Sequence, residues 1–255
     1  MNFIDTHTHL YLREFDQDRE QVVREALNEK VQLMLLPNID SSTISAMLQM
    51  VNDYPGICLP MIGLHPTSVN SDFEDELMLV EELLKKDKFI AIGETGIDLY
   101  WDKQHKEKQI RAFEIQVKWA KEYQLPIVIH ARESFRELFS VLDKHADSNL
   151  KGVFHSFTGN AAEAAHVIEY GFFVGINGII TFKNSGLDTI VKEIPPERIL
   201  LETDSPYLAP VPKRGRRNES AYIKYIAAKL SEIYDLSLET MTAITTQNAR
   251  NLFLI

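Results

Sequence analysis

This chain is short of several things, and each shortage closes off a class of protein. It has a single cysteine, Cys58, so no disulfide can form within it. That residue sits in an apolar run (Ile57-Cys58-Leu59) and reads as a buried core side chain before it reads as a nucleophile. No apolar stretch approaches the roughly 20 residues that a membrane helix needs, so no membrane span is expected. The N-terminus lacks the basic region, apolar stretch and small-residue cleavage site of a signal peptide, and the expected setting is a reducing cytoplasm. There is no Gly/Ser linker, no low-complexity tract and no obvious internal repeat. Positive charge is also scarce: 27 Lys and Arg against 37 Asp and Glu leave a net charge of −10. A protein that coats long duplex DNA with a broad basic face is therefore excluded. A metal enzyme working on one phosphodiester is not, because bound cations bring positive charge to the point of need.

What is present is a rhythm of short apolar runs alternating with longer amphipathic segments. The runs are Phe3 to His7, Val31 to Pro37, Cys58 to Leu64, Phe89 to Glu94, Pro126 to His130, Gly152 to His155, Phe172 to Ile176 and Ile199 to Asp204. Eight of them, continuously apolar, match parallel strands covered on both faces. Between them, Phe73, Leu77, Val80 and Leu84 space a helix over 73–86, with Ser71 and Glu74 as a capping box. Further helices are expected over 105–123 and 133–145, on the face made by Ile223, Ile226, Ala227, Leu230 and Ile233, and from Leu238 with Ser237 as its cap. Over 255 residues this predicts an α/β fold, a single-domain (β/α)8 TIM barrel. A doubly wound open sheet is the alternative, but the Gly-rich phosphate turn after its first strand is missing.

Barrel enzymes carry their chemistry at the C-terminal ends of the strands. Those ends supply His7 and His9 from the first run, His65 from the third and Glu94 from the fourth. His130, His155 and Asp204 follow from the fifth, sixth and eighth. Imidazoles and carboxylates at the ends of buried runs need partners or an ion. Four histidines (His7, His9, His130, His155) with Glu94 and Asp204 are enough ligands for two divalent metals, magnesium, manganese or zinc. Glu94 is the natural bridge, since a carboxylate can bind two cations and an imidazole cannot. His65, in Gly63-Leu64-His65-Pro66, is a turn residue or a substrate contact. Tyr100, Trp101 and Asp102 form either a lid over the mouth or ordinary loop packing. After the eighth run, Lys213, Arg214, Arg216 and Arg217 put four basic residues in five, a candidate phosphate clamp; Arg132 is another.

These residues together resemble the TatD family of metal-dependent deoxyribonucleases, within the amidohydrolase-like superfamily. The resemblance runs nearly end to end, through Asp5-Thr6-His7-Thr8-His9-Leu10, Gly63-Leu64-His65-Pro66 and Gly93-Glu94-Thr95-Gly96-Ile97-Asp98. It continues through Pro126–His130, His155-Ser156-Phe157-Thr158-Gly159, Leu201–Leu208 and Arg214–Glu219. It implies a somewhat distorted barrel with a two-metal centre: His7, His9, Glu94 and Asp204 on one ion, Glu94, His130 and His155 on the other. It also implies DNase activity, including 3′–5′ exonuclease action on single-stranded DNA ends; some members are linked to other esters such as mischarged tRNA. Thr95, Ala131 and Ser220 depart from the family's usual residues, and none removes a ligand.

The expected mechanism is hydrolysis by a water that the two metals activate, with Asp204 as ligand and general base and Glu94 as the shared carboxylate. His65, Arg132, Glu202, Tyr207, Arg214, Arg216 and Arg217 are the expected substrate contacts, with Glu202 alternatively positioning a ligand. The competing expectations are a metal-dependent ester or amide hydrolase, such as a D-aminoacyl-tRNA deacylase, and a non-catalytic barrel kept for binding. No protein partner is inferred.

Overall fold

The structure, a computed structural model, describes residues 2–145 and 147–255. Eight parallel strands alternate with helices. They are β1 (Phe3–Asp5), β2 (Val31–Pro37), β3 (Cys58–Met61), β4 (Ile92–Asp98), β5 (Ile127–Arg132), β6 (Gly152–Phe154), β7 (Phe173–Ile176) and β8 (Ile199–Leu201). The helices are α1 (Arg19–Asn28), α2 (Ser41–Asp53), α3 (Phe73–Lys86), α4 (Lys106–Glu122), α5 (Phe135–His145), α6 (Ala161–Glu169), α7 (Leu187–Val191), α8 (Ile223–Tyr234) and α9 (Leu238–Phe253).

The strands pair in order as two arcs, β1-β2-β3 and β4 to β8. Two single bridges close the ring, Ile62 with Ile92 and Thr8 with Ser205. Backbone bonds reinforce the second seam: Thr6 N–H donates to Leu201 O (3.1 Å), Asp204 N–H to His7 O (2.9 Å) and His9 N–H to Ser205 O (2.7 Å). The expected barrel is therefore present, and its distortion lies at these two thin seams.

Alternation along the strands sorts side chains between two cores. Ile4, Leu35, Met61, Ala91, Val128, Val153 and Leu200 meet inside the ring, where Ala249, Leu252 and Phe253 of α9 pack against them as a floor. Larger residues such as Phe113, Val117, Leu138 and Leu230 belong to the core between strands and helices. Side chains two apart share a strand face. His130 thus follows Val128, His155 follows Val153, and Glu202 follows Leu200 into the upper lumen.

Two local expectations change. Ser71 and Glu74 make no capping box: Asp72 occupies the cap position of α3 without a side-chain bond, and Glu74 instead pairs with Arg111 at 2.8 Å. The fourth strand begins and ends later than its apolar run, so Glu94 lies inside it and Asp98 at its end. Ser237 does cap α9, accepting from Thr240 N–H at 3.0 Å. Among the described residues no helix is long and apolar enough to cross a membrane.

Candidate metal centre

Glu94 is the hub of the upper lumen. Its Oε2 lies 3.0 Å from His7 Nε2 and 3.7 Å from His9 Nε2. Its Oε1 lies 3.0 Å from His130 Nδ1, 3.3 Å from His65 Nε2 and 3.7 Å from His155 Nε2. Asp204 Oδ1 completes the ring at 3.7 Å from His9, 3.8 Å from His155 and 4.0 Å from His7. The barrel brings His7, His9, His65, Glu94, His130, His155 and Asp204 to one place, although they are spread over nearly two hundred residues. Among the described residues three groupings have donors close enough to hold a divalent cation: His7 with His9 and Glu94, His7 with His155 and Asp204, and His65 with Glu94 and His130. His65 thus stands among the donors and is more than a turn residue.

The electrostatics suit a cation. Burial opposes ionisation of Glu94, yet the surrounding His65, His7 and His155 and the His130 hydrogen bond carry its carboxyl well below the usual range. Burial pushes His9 down to about 4 and His7 well below its ordinary value. His155 goes the other way: against burial, Glu202, Glu94 and Asp204 raise it to about 10. Burial, helped by Glu94 and Glu202, lifts Asp204 to about 7. The buried carboxylates thus demand positive charge, which His155 meets with a proton; a divalent cation meets the same demand when imidazoles give up protons to bind it. His7 and His9 present their Nε2 atoms to each other at 3.2 Å, an arrangement suited to a shared ligand. The residues fit a metal.

Asp204 stands on a left-handed backbone (φ 60°), which an aspartate tolerates better than most residues. Asp5 anchors the seam beside it. Fully buried, it accepts from Thr203 N–H (2.9 Å), Thr203 Oγ1–H (2.6 Å) and Ser220 Oγ–H (2.6 Å). Burial raises it to about 7.

Two side chains steer ligands from behind. Glu202, 1% exposed, places Oε1 3.0 Å from His155 Nδ1 and accepts from Ser156 N–H at 2.6 Å. Its carboxylate faces His155 and is almost entirely buried. Asp98 does the same for His130, with Oδ2 3.0 Å from Nε2. Sequence reasoning passed over Asp98, although its two-residue steps from Glu94 through Gly96 along one strand were a usable signal.

Above the centre opens a cleft of about 650 Å³, bordered among others by Arg132, Trp101, Ile179 and Tyr207. Arg132 and Tyr207, two of the expected substrate contacts, line it; the basic loop does not. Asn218 anchors its end, with its side-chain N–H groups donating to Thr203 O and Tyr207 O (2.7 Å each). Lys213 lies over Tyr222 at 5.0 Å and Arg214 over Phe182 at 3.7 Å. Arg217 binds Asp18 in fork geometry (2.8 and 2.7 Å), and Arg216 is exposed. Arg214, Arg216 and Arg217, expected as a clamp, do not line the cleft. His105 sits 2.6 Å from Asp102, and His145 3.0 Å from Glu114.

A family model described as TatD related DNase matches residues 4–254. The chain belongs to the TatD family. A Bacillus subtilis protein named uncharacterized metal-dependent hydrolase YabD is 38% identical over 98% of both chains. A Salmonella typhimurium protein named 3′-5′ ssDNA/RNA exonuclease TatD is 32% identical, again over 98% of each. The crystal structure of the Escherichia coli TatD homologue YJJV superposes with a TM-score of 0.92 at 26% identity, covering 99% of this chain and 98% of that one. A TatD barrel with clustered histidines and carboxylates at the C-terminal rim makes this chain a metal-dependent hydrolase.

Proposed function

We propose that the chain hydrolyses phosphodiester bonds at the ends of single-stranded DNA, as a 3′–5′ exonuclease using two divalent cations, magnesium, manganese or zinc. The observation that carries this reading is the flanking of Glu94 on both carboxylate oxygens, by His7 and His9 on one side and by His65, His130 and His155 on the other. That arrangement suits a carboxylate shared by two ions, with Asp204 closing the first set. The TatD relatives named as 3′-5′ ssDNA/RNA exonucleases support the substrate class.

Bound cations supply Lewis acidity toward the phosphoryl oxygens and favour ionisation of the attacking water. Asp204, whose Oδ1 faces His7, His9 and His155 across the centre, is the carboxylate placed to accept that water's proton. Arg132, at the cleft wall, offsets charge growing on the phosphate oxygens. Glu202 and Asp98 keep His155 and His130 aimed at Glu94 throughout.

The test is a chelator-treated protein assayed with each cation on end-labelled single- and double-stranded oligonucleotides and on aminoacyl-tRNA. Shortening of single strands from the 3′ end is expected. Asp204→Asn should lower kcat by about 10²–10⁴-fold, the usual worth of a general base. Cleavage of the aminoacyl ester alone, or of nothing with any cation, overturns the proposal.

A further inference from the structure

Trp101 borders the cleft and yet is 68% exposed, and Tyr100 beside it is 50% exposed. Their rings meet edge-on, with centroids 4.9 Å apart and planes at 88°. The Arg132 guanidinium backs both, 4.0 Å from the Tyr100 centroid and 5.4 Å from that of Trp101. A large aromatic surface left in water beside a buried ionic site calls for an explanation, because burial of such rings is strongly favourable.

The backbone beneath these rings is firmly held. Asp98 Oδ1 accepts from Tyr100 N–H (2.9 Å) and Trp101 N–H (2.8 Å), while Oδ2 of the same carboxylate lies against His130. One residue on, Asp102 Oδ1 accepts from Gln104 N–H (2.7 Å) and His105 N–H (3.1 Å). Gln109 braces both corners, its side-chain N–H groups donating to Asp98 O (3.2 Å) and Asp102 O (3.0 Å). The rings are thus fixed relative to the Glu94 centre through a single shared carboxylate.

We propose that Trp101, with Tyr100 and Arg132 behind it, is a stacking platform for the base of the nucleotide whose phosphate enters the Glu94 site. This deepens the phosphodiester reading and rests on it. A chain of net charge −10 cannot gather a polyanion over a broad basic face. Stacking supplies affinity that does not depend on such a face and is indifferent to base identity, since every base has a flat π surface. Arg132 complements the platform by pairing with the adjoining phosphate while its guanidinium remains on Tyr100. Duplex ends keep their bases stacked and paired, so a platform of this kind selects the unpaired terminus.

The chain has two tryptophans, and Trp119 is buried, so solvent-sensitive emission reports on Trp101. The magnesium-loaded protein is titrated with phosphorothioate-linked tetrathymidylate and with the same oligonucleotide lacking its terminal base. Saturable quenching is expected with the first. Affinity for the second should be lower by about tenfold or more, the loss of one stacked base. Measured by anisotropy of labelled oligonucleotides, that ratio should fall to about one in Trp101→Ala and largely survive in Trp101→Phe. Equal affinity with and without the base, or a ratio retained in Trp101→Ala, overturns the platform. Cleavage of ordinary tetrathymidylate is followed in parallel. Cleavage without base discrimination sinks the platform alone; base discrimination without cleavage by any cation sinks the phosphodiester reading and leaves the platform standing.

Discussion

Glu202 is the residue whose removal should be felt furthest from its own position. Its carboxylate holds the His155 ring from behind and is wedged so tightly that a Cβ on Gly175 would come within 2.4 Å of it. Only glycine at 175 leaves it room. Glu202→Gln keeps size and one acceptor but removes the charge opposite His155. Partners of this kind are worth about 10–100-fold in metal affinity or activity. We expect a fall of that order in cation affinity by isothermal titration, with the melting temperature little changed. Unaltered affinity would assign Glu202 to packing. Cys58 provides the contrasting case of a chemically able group kept inert. It is fully buried, and burial pushes its thiol up to about 12, so the thiolate is scarce at neutral pH. A thiol-reactive disulfide reagent at pH 8 should label it in denaturant and leave the native protein unlabelled over the same minutes.

At the scale of elements, what could be read in advance divides along a physical line. The fifth, sixth and eighth apolar runs each close on a ligand-type residue, so His130, His155 and Asp204 were visible at run ends, although β5 continues to Arg132 and Asp204 lies beyond β8. In β4 the buried strand is itself polar and glycine-rich, from Gly93 to Asp98, and its register with β5 shifts between Ile92 and Thr95. No hydrophobic pattern marks such a strand, which is why Asp98 was missed and Glu94 was placed at an end. The basic loop misled for another reason: four cations in five residues announce charge, but their destinations depend on where Asn218 anchors the chain. Arg217 bridges that loop to the segment before α1, binding Asp18, Glu219 and Glu14 O and lying 4.4 Å over Phe15. Arg217→Ala should therefore cost stability, about 1 kcal/mol for a partly exposed pair with a ring contact, or about 2–4 °C in Tm. The kcat/KM of the proposed phosphodiester hydrolysis should change by less than about threefold, far below the loss that a phosphate-binding arginine entails. The Asp18 hydrogen bond to Arg217 lowers the carboxyl below its ordinary 3.8. A depressed carboxylate stabilises above its unfolded value and loses that contribution as pH falls through the folded one. The wild-type advantage over the variant should accordingly persist at pH 7 and shrink below about pH 4, as followed by thermal melts across pH.

The whole molecule separates what holds it together from what it does. Its floor is hydrocarbon: Ile4, Leu35, Met61, Val128, Val153 and Leu200 sealed by Leu252 and Phe253. Its mouth is a ring of imidazoles and carboxylates whose charges are reconciled by a cation. We expect folding to be independent of the metal, since none of its candidate ligands belongs to the floor, and stability to respond to it, because cations bind the assembled ring and the unfolded chain does not assemble one. Adding a divalent cation at a hundred times its dissociation constant should stabilise the chelator-treated protein by about 2.7 kcal/mol, or roughly 5–10 °C for a chain of this length. Far-UV circular dichroism at 25 °C should be the same before and after. Collapse of the helical signal on chelation would mean that the floor is not self-sufficient, and absence of any thermal shift with magnesium, manganese or zinc would mean that the ring around Glu94 is no metal site. Glu94→Ala removes the hub that every grouping shares or adjoins, and in that variant the cation-induced shift should vanish while the floor, and with it the cooperative melt, remains.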